Sequence, residues 1–206
     1  MPAPQQVPDV VAGLPRNVVR EAGMLELLAA EMRIAELEKA LAEAREAALT
    51  DPLTGALNRR GFERASQREI ARAQRSDTRY AIAHIDLDDF KRLNDESGHQ
   101  AGDRALRQLV ELLQRSMRPT DVLARFGGEE FVLMLPDTSL QDAAAVVNRF
   151  RKDFSAQAIP GTDRKLTFSA GVAVWQGDDA IDDVIRRADA ATYVAKRQGK
   201  NCVIAC

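Results

Sequence analysis

Cysteine is scarce in this 206-residue chain: Cys202 and Cys206 are the only two, and both lie at its C-terminal end. Two thiols so placed build neither a zinc quartet nor a disulfide framework by themselves, and a reducing, cytoplasmic setting is expected. No run approaches the roughly 18 apolar residues that a membrane helix needs. Residues 1–4, Met-Pro-Ala-Pro, open neither a basic nor an apolar leader segment, so no membrane association is expected. Charge of one sign is not in excess either: 29 basic residues stand against 31 acidic ones. A formal charge of −2 gives no global pull toward a nucleic-acid polymer, so any phosphate chemistry must be local. What the chain does have is an ordinary globular balance, 45% hydrophobic and 29% charged. At roughly 150 residues per domain, that balance supports one domain with about fifty residues left for a helical appendage.

Residues 1–17 hold Pro2, Pro4, Pro8, Gly13 and Pro15 and are expected to form a flexible lead-in. From Val18 to Thr50 there is no proline and Ala, Leu, Glu and Arg dominate, which predicts a helix over 18–50. Leu27, Ile34, Leu41 and Ala48 share one heptad position, and Ala30, Leu37 and Ala44 share the other. Either a parallel coiled coil joining two copies or packing back onto its own domain would bury that seam. Pro52 and Gly55 stop the helix, and the remaining domain is placed at 51–206.

Within it the pattern predicts a helix from Asn58 to Arg75, a buried strand from Tyr80 to Ile85 ending at Asp86, and a helical turn over Asp89–Asn94. A helix follows over Gly102–Met117, then strands over Val122–Arg125 and Phe131–Leu135 joined at Gly127 and Gly128. Ser139–Phe154 reads as a helix, Leu166–Val174 as a strand, Ile181–Arg197 as a helix and Cys202–Ala205 as a closing strand. This order suits an α+β, ferredoxin-like, mainly antiparallel sheet with helices on one face.

Three acidic groups stand at turns: Asp86 with Asp88 and Asp89, Glu129 with Glu130, and Asp95 with Asp103 around Gly98 and His99. Such carboxylates are commonly only solvated. Asp86, however, ends one apolar strand and Glu129 stands at the tip of another, so pairing of those strands would bring hard oxygen donors together. One or two carboxylates, with substrate phosphate completing the shell, is how magnesium is commonly held, and manganese accepts the same donors.

The segment RFGGEEF, Arg125–Phe131, closely resembles the signature of the GGDEF family of diguanylate cyclases. Five further segments stand in the family's order: DPLTGALNRR (51–60), IDLDDFKRLND (85–95), GHQAGD (98–103), FSAGVA (168–173) and ADAATYVAKRQGKN (188–201). The resemblance covers Leu49–Ala205 and implies a palm-type domain whose central sheet is flanked by helices. It implies that Asp86, Glu129 and the Leu87 carbonyl hold magnesium or manganese, and that Glu129 helps deprotonate an attacking hydroxyl. Glu130 is similar to a position that touches a second ion. Asn94 and Asp103 match the family's guanine-reading pair, which is chemically apt because an amide and a carboxylate distinguish guanine's donor edge from adenine. His99 matches a further substrate contact, although a packed histidine explains it equally well. Lys91, Lys196 and Lys200 resemble triphosphate contacts. Arg118, Pro119, Thr120 and Asp121 stand where the family carries its RxxD product-inhibition site, to which Arg149 also corresponds.

The implied reaction joins two GTP molecules into cyclic di-GMP with release of two pyrophosphates, across a homodimer in which each copy holds one GTP. Two departures from the family's pattern are visible. Lys200 stands where arginine is frequent, and Ala56 stands where leucine is common. Two rival readings use the same residues: a non-catalytic receptor for cyclic di-GMP or GTP, and cyclisation of a single adenine nucleotide on a related fold.

Overall fold

The computed structural model describes residues 16–47, 49–76, 78–177 and 179–206. Residues 1–15 of the expected lead-in 1–17 and the proposed seam residue Ala48 lie outside the described residues, while Arg16 and Asn17 are helical rather than part of a lead-in. The chain divides into two compact units, the first ending at Glu46 and the second spanning Ala47–Cys206.

The first unit contains helix α1, Arg16–Ala47, close to the span expected from its composition. Leu27, Ile34, Leu37 and Leu41 along it are each at least half exposed. Among the described residues no helix is long and apolar enough to cross a membrane.

The second unit runs α2 (Arg59–Ser76), β1 (Tyr80–Leu87), α3 (Phe90–Ser97), α4 (His99–Ser116), β2 (Val122–Gly127), β3 (Glu130–Pro136), α5 (Leu140–Ala156), β4 (Phe168–Val174), α6 (Ile181–Arg197) and β5 (Val203–Ala205). Its five strands lie in the order β2-β3-β1-β4-β5. All neighbours are antiparallel except β4 and β5, which are parallel. The α+β, mainly antiparallel sheet is therefore as expected.

The placement of its helices differs from the expectation of one covered face. β1 is buried along its whole length, as a central strand with both faces covered must be. Ala81, Ala83, Ile85 and Leu87 pack toward Leu93 of α3, Leu106 and Leu109 of α4 and Phe150 of α5. The alternate residues Tyr80 and Ile82 pack instead with Phe62 of α2 and Val184 and Ala188 of α6. The order of elements along a chain does not say which face each helix covers, and here the helices divide three and two.

On the α6 side the fit is tight. A Cβ on Gly171 of β4 would collide with the Ala188 carbonyl and the Thr192 amide, so only glycine lets α6 lie this close to the sheet. That approach carries the C-terminal end of α6 to the end of β1, where the polar residues gather.

Candidate functional site

Asp86 is the last buried side chain of β1 before Leu87, paired in register with Glu130 of β3 and Ser169 of β4. Gly128 and Glu129 form the hairpin between β2 and β3, with Gly128 at φ 33°. The Leu87 amide donates to the Glu129 carbonyl at 3.3 Å, which fixes Glu129 beside the end of β1. Lys196, near the end of α6, donates to Asp86 Oδ2 at 2.6 Å. Asp86 Oδ1 is buried and has no hydrogen-bond partner among the described residues.

The electrostatics agree with two carboxylates at close quarters. Burial pushes the Asp86 carboxyl above its ordinary range, against the pull of Lys196. Glu129 is also raised, by burial first and then by the negative charge of Asp86, with Lys196 opposing. Among the described residues no group of three or more His, Cys, Asp or Glu side chains is arranged to hold a metal ion. Two carboxylates and a backbone carbonyl nevertheless form a fitting donor set for magnesium or manganese when substrate oxygens complete the shell. The unpartnered Asp86 oxygen is the atom that such an ion would satisfy.

The second part of the site lies at the α3–α4 junction. Lys91 is exposed in the first turn of α3, and Asn94 is half-buried one turn later. Gly98, at φ 79°, breaks the two helices apart, and its amide donates to the Asn94 carbonyl at 2.9 Å. A Cβ on Gly102 would collide with Asn94 Oδ1, so the carboxamide lies directly against the backbone of α4. Asp103 follows, half-buried, on the next position of α4. His99 opens α4 and is exposed, which does not match a packed histidine. Lys200 reaches the opposite, N-terminal end of α3 from the far end of the chain, its Nζ donating to the N-cap residue Asp89 at Oδ1, 2.6 Å away. Glu130 is exposed at the start of β3.

Arg118 and Asp121 form a closed turn after α4. The Arg118 amide donates to Asp121 Oδ2 at 2.7 Å, and the Asp121 amide donates to the Arg118 carbonyl at 3.0 Å. Asp121 Oδ1 is buried without a partner among the described residues, and burial raises this carboxyl against its hydrogen bond from the Arg118 backbone. Arg149 is exposed on α5 with its guanidinium 5.5 Å from the Phe150 ring centroid. Among the described residues no hydrogen bond or ion pair joins Arg149 to Arg118 or Asp121.

Two features escape a reading of the sequence. Asp88 is no solvated neighbour of Asp86: it is buried and accepts from Ser169 Oγ and Thr167 Oγ1, each at 2.6 Å. His84, buried in β1, has its Nδ1 3.2 Å from Thr192 Oγ1 on α6. Burial lowers the His84 pKa, with the charge of Asp189 pulling the other way. A lone polar residue inside the apolar run of β1 was the available signal, but its partner lies 108 positions away.

Comparison with known proteins accords with this geometry. The family model described as "Diguanylate cyclase, GGDEF domain" matches residues 48–202. Diguanylate cyclase DgcP of Pseudomonas aeruginosa is 41% identical over 163 residues, covering 78% of this chain and 24% of that protein. Diguanylate cyclase DgcM of Escherichia coli is 36% identical over 203 residues, covering 94% of this chain and 48% of that protein. The chain thus spans half or less of the length of these curated relatives. Among solved structures, the coiled coil and GGDEF domain of DgcB from Caulobacter crescentus, in complex with c-di-GMP, aligns with a TM-score of 0.83 at 31% identity. That alignment covers 89% of this chain and 98% of the other. The chain belongs to the GGDEF diguanylate cyclase domain family.

Proposed function

We propose that this chain is a magnesium- or manganese-dependent diguanylate cyclase that condenses two GTP molecules into cyclic di-GMP across a homodimer. We propose further that it works in the cytoplasm and is restrained by its product at Arg118, Asp121 and Arg149. The observation that carries the reading is Asp86: a buried carboxylate, at the strand end where Glu129 arrives, with one oxygen that no group among the described residues satisfies. Asp86, Glu129 and the Leu87 carbonyl are the groups that would hold the ion. A divalent cation supplies charge stabilisation on the α-phosphate during attack.

The remaining roles fall to side chains. Asn94 and Asp103 orient the guanine edge, and His99 adds a further substrate contact. Lys91, Lys196 and Lys200 offset the charge of the triphosphate. Lys200 keeps the charge that arginine would bring but lacks its bidentate fork. Each 3′-oxygen bonds to the α-phosphorus of the other nucleotide, the bond to the bridging oxygen breaks, and pyrophosphate leaves. Glu129 receives the hydroxyl proton, and Glu130 stands beside it as a secondary carboxylate.

One domain binds one GTP, so two copies must meet across a two-fold axis for the in-line attack. The exposed Leu27, Ile34, Leu37 and Leu41 of α1 supply a seam for that meeting. The coiled coil in the DgcB structure supports the same arrangement, and such a tether raises the effective concentration of the two half-sites. At Arg118 and Arg149, planar guanidinium groups suit a dinucleotide that carries two phosphates.

The test is incubation of nucleotide-stripped protein with GTP and magnesium, followed by chromatography and mass analysis. Cyclic di-GMP with pyrophosphate is the expected product, and Glu129→Ala should abolish it. Absence of product from a dimeric, stripped sample would favour the receptor reading. A cyclic mononucleotide, formed from ATP in preference to GTP, would favour intramolecular cyclisation.

A further inference from the structure

Beyond α6 the chain turns through three consecutive residues with positive φ: Gly199 at 113°, Lys200 at 64° and Asn201 at 47°. Glycine takes this backbone freely, whereas a lysine and an asparagine in succession hold it only where their surroundings fix it. The fixing contacts come from two directions. On one side, the Asn201 amide donates to Asp88 Oδ2 at 3.0 Å. The Asp88 carboxylate is itself held by Ser169 and Thr167, so this bond is anchored in β4 and the residue before it. On the other side, Arg151 Nη1 on α5 donates to the Asn201 carbonyl at 2.9 Å and to its Oδ1 at 2.6 Å. Arg151 is in turn oriented by Asn148, whose Oδ1 accepts from Nε at 2.9 Å. What the turn delivers is the Lys200 ammonium, which stands on Asp89 at the N-cap of α3.

We infer that Asp88 and Arg151 are positioning residues for Lys200: they lock its turn in the left-handed region and so aim its ammonium across the start of α3. The inference rests on the reading above, in which Lys200 faces the triphosphate of GTP. A return of Lys200 to negative φ would re-aim its Cα–Cβ bond and carry Nζ away from α3. Neither Asp88 nor Arg151 has to touch the nucleotide to exert this effect. Asp88 thereby has a use that differs from that of Asp86, two residues before it: one carboxylate stays open toward a cation while the other is consumed by the fold.

The test is a double-mutant cycle of Arg151→Ala and Lys200→Ala, read by initial rates with GTP while a phosphodiesterase removes the product. Arg151→Ala should raise the KM for GTP on the order of tenfold and leave kcat within about twofold, because it weakens one charge-assisted contact. In the Lys200→Ala background the same change should add nothing. Hydrogen exchange at the Asn201 amide of the nucleotide-free protein should accelerate in Arg151→Ala. An unchanged KM, or an effect that multiplies with Lys200→Ala, would overturn the inference. Lys200→Ala with a normal KM would instead overturn the triphosphate reading, and the Asn201 exchange rate would then judge the latch alone. Should Arg151→Ala fold poorly, Arg151→Lys serves the same cycle with an intermediate KM expected.

Discussion

Arg125 Nη1 holds both carboxylate oxygens of Asp51, at 3.0 and 3.1 Å, while Arg125 Nε and Nη2 donate to the Gly128 carbonyl at 3.0 and 2.7 Å. One guanidinium therefore ties the segment that opens the domain to the hairpin that presents Glu129. Both side chains are more than four-fifths buried, so the pair is sheltered from the screening that weakens surface ion pairs. Lysine lacks the planar fork needed to serve both partners at once. Arg125→Lys should cost about 1–3 kcal/mol of stability, the usual range for a buried group left unsatisfied. It should also lower kcat more than it raises the KM for GTP, because the hairpin carries Glu129 and not the proposed guanine contacts. Denaturant unfolding and steady-state kinetics check both; a silent variant would mean that the hairpin holds its shape unaided.

The same pair makes a prediction about acid. Burial alone would push the Asp51 carboxyl up, but the hydrogen bonds from Thr54 and Arg125 and the Arg125 charge outweigh it and hold the group below its ordinary 3.8. The folded protein thus binds this proton less tightly than the unfolded chain. Its contribution to stability is complete above about 3.8 and disappears as pH falls through the lower folded value. Asp51→Asn should therefore be less stable than the wild type near neutral pH and lose less on acidification below about pH 4. Urea titrations at two pH values measure the difference; parallel losses in both proteins would remove Asp51 from the acid transition.

How much of this was legible in the sequence depends on the distance over which residues interact. The apolar run before Asp86 announced β1, because local pattern alone places it, whereas the approach of Glu129 to the end of β1 depended on which strands pair and stood in the sequence only as a condition. Asn94 and Asp103 were singled out by resemblance to the family's guanine-reading pair, and the structure places both half-buried on the consecutive helices α3 and α4. The division of helices between two faces was not legible, since period and order say nothing of which side a crossing takes. Nor was the different use of Asp86 and Asp88. A carboxylate engaged by Thr167, Ser169 and Asn201, residues 79 to 113 positions distant, reads in the sequence like one left in water.

Gly102 offers a test of the proposed guanine-reading role of Asn94 that changes no proposed substrate contact. Its missing Cβ is what lets the Asn94 carboxamide lie against α4. Gly102→Ala should displace that side chain, with the roughly 1–3 kcal/mol destabilisation typical of overpacking. Binding of GTP should weaken, and preference for GTP over inosine triphosphate, which lacks the exocyclic amine, should shrink. Competition binding with the two nucleotides measures this. A variant that loses stability but keeps full discrimination would show that Asn94 reads the base from another position.

The exposed seam of α1 gives the prediction with the largest expected effect. Ile34 and Leu41 are 55% and 50% exposed on α1, so a charge at either position is compatible with the lone helix. In a parallel pair both residues would be buried twice over, and placing lysine at both would oppose like charges across the seam. Ile34→Lys with Leu41→Lys should therefore yield a folded monomer by sedimentation that still binds GTP with near wild-type affinity. Turnover should change in kind as well as in size. With the tether present, the half-sites see one another at an effective concentration that reaches the millimolar range, so rate per chain is constant. Without it, encounter becomes bimolecular, and at micromolar enzyme the rate should fall by roughly 100- to 1,000-fold and rise with the square of protein concentration. If the double variant stays dimeric, or stays fully active as a monomer with rate linear in protein, the seam is not what brings the half-sites together.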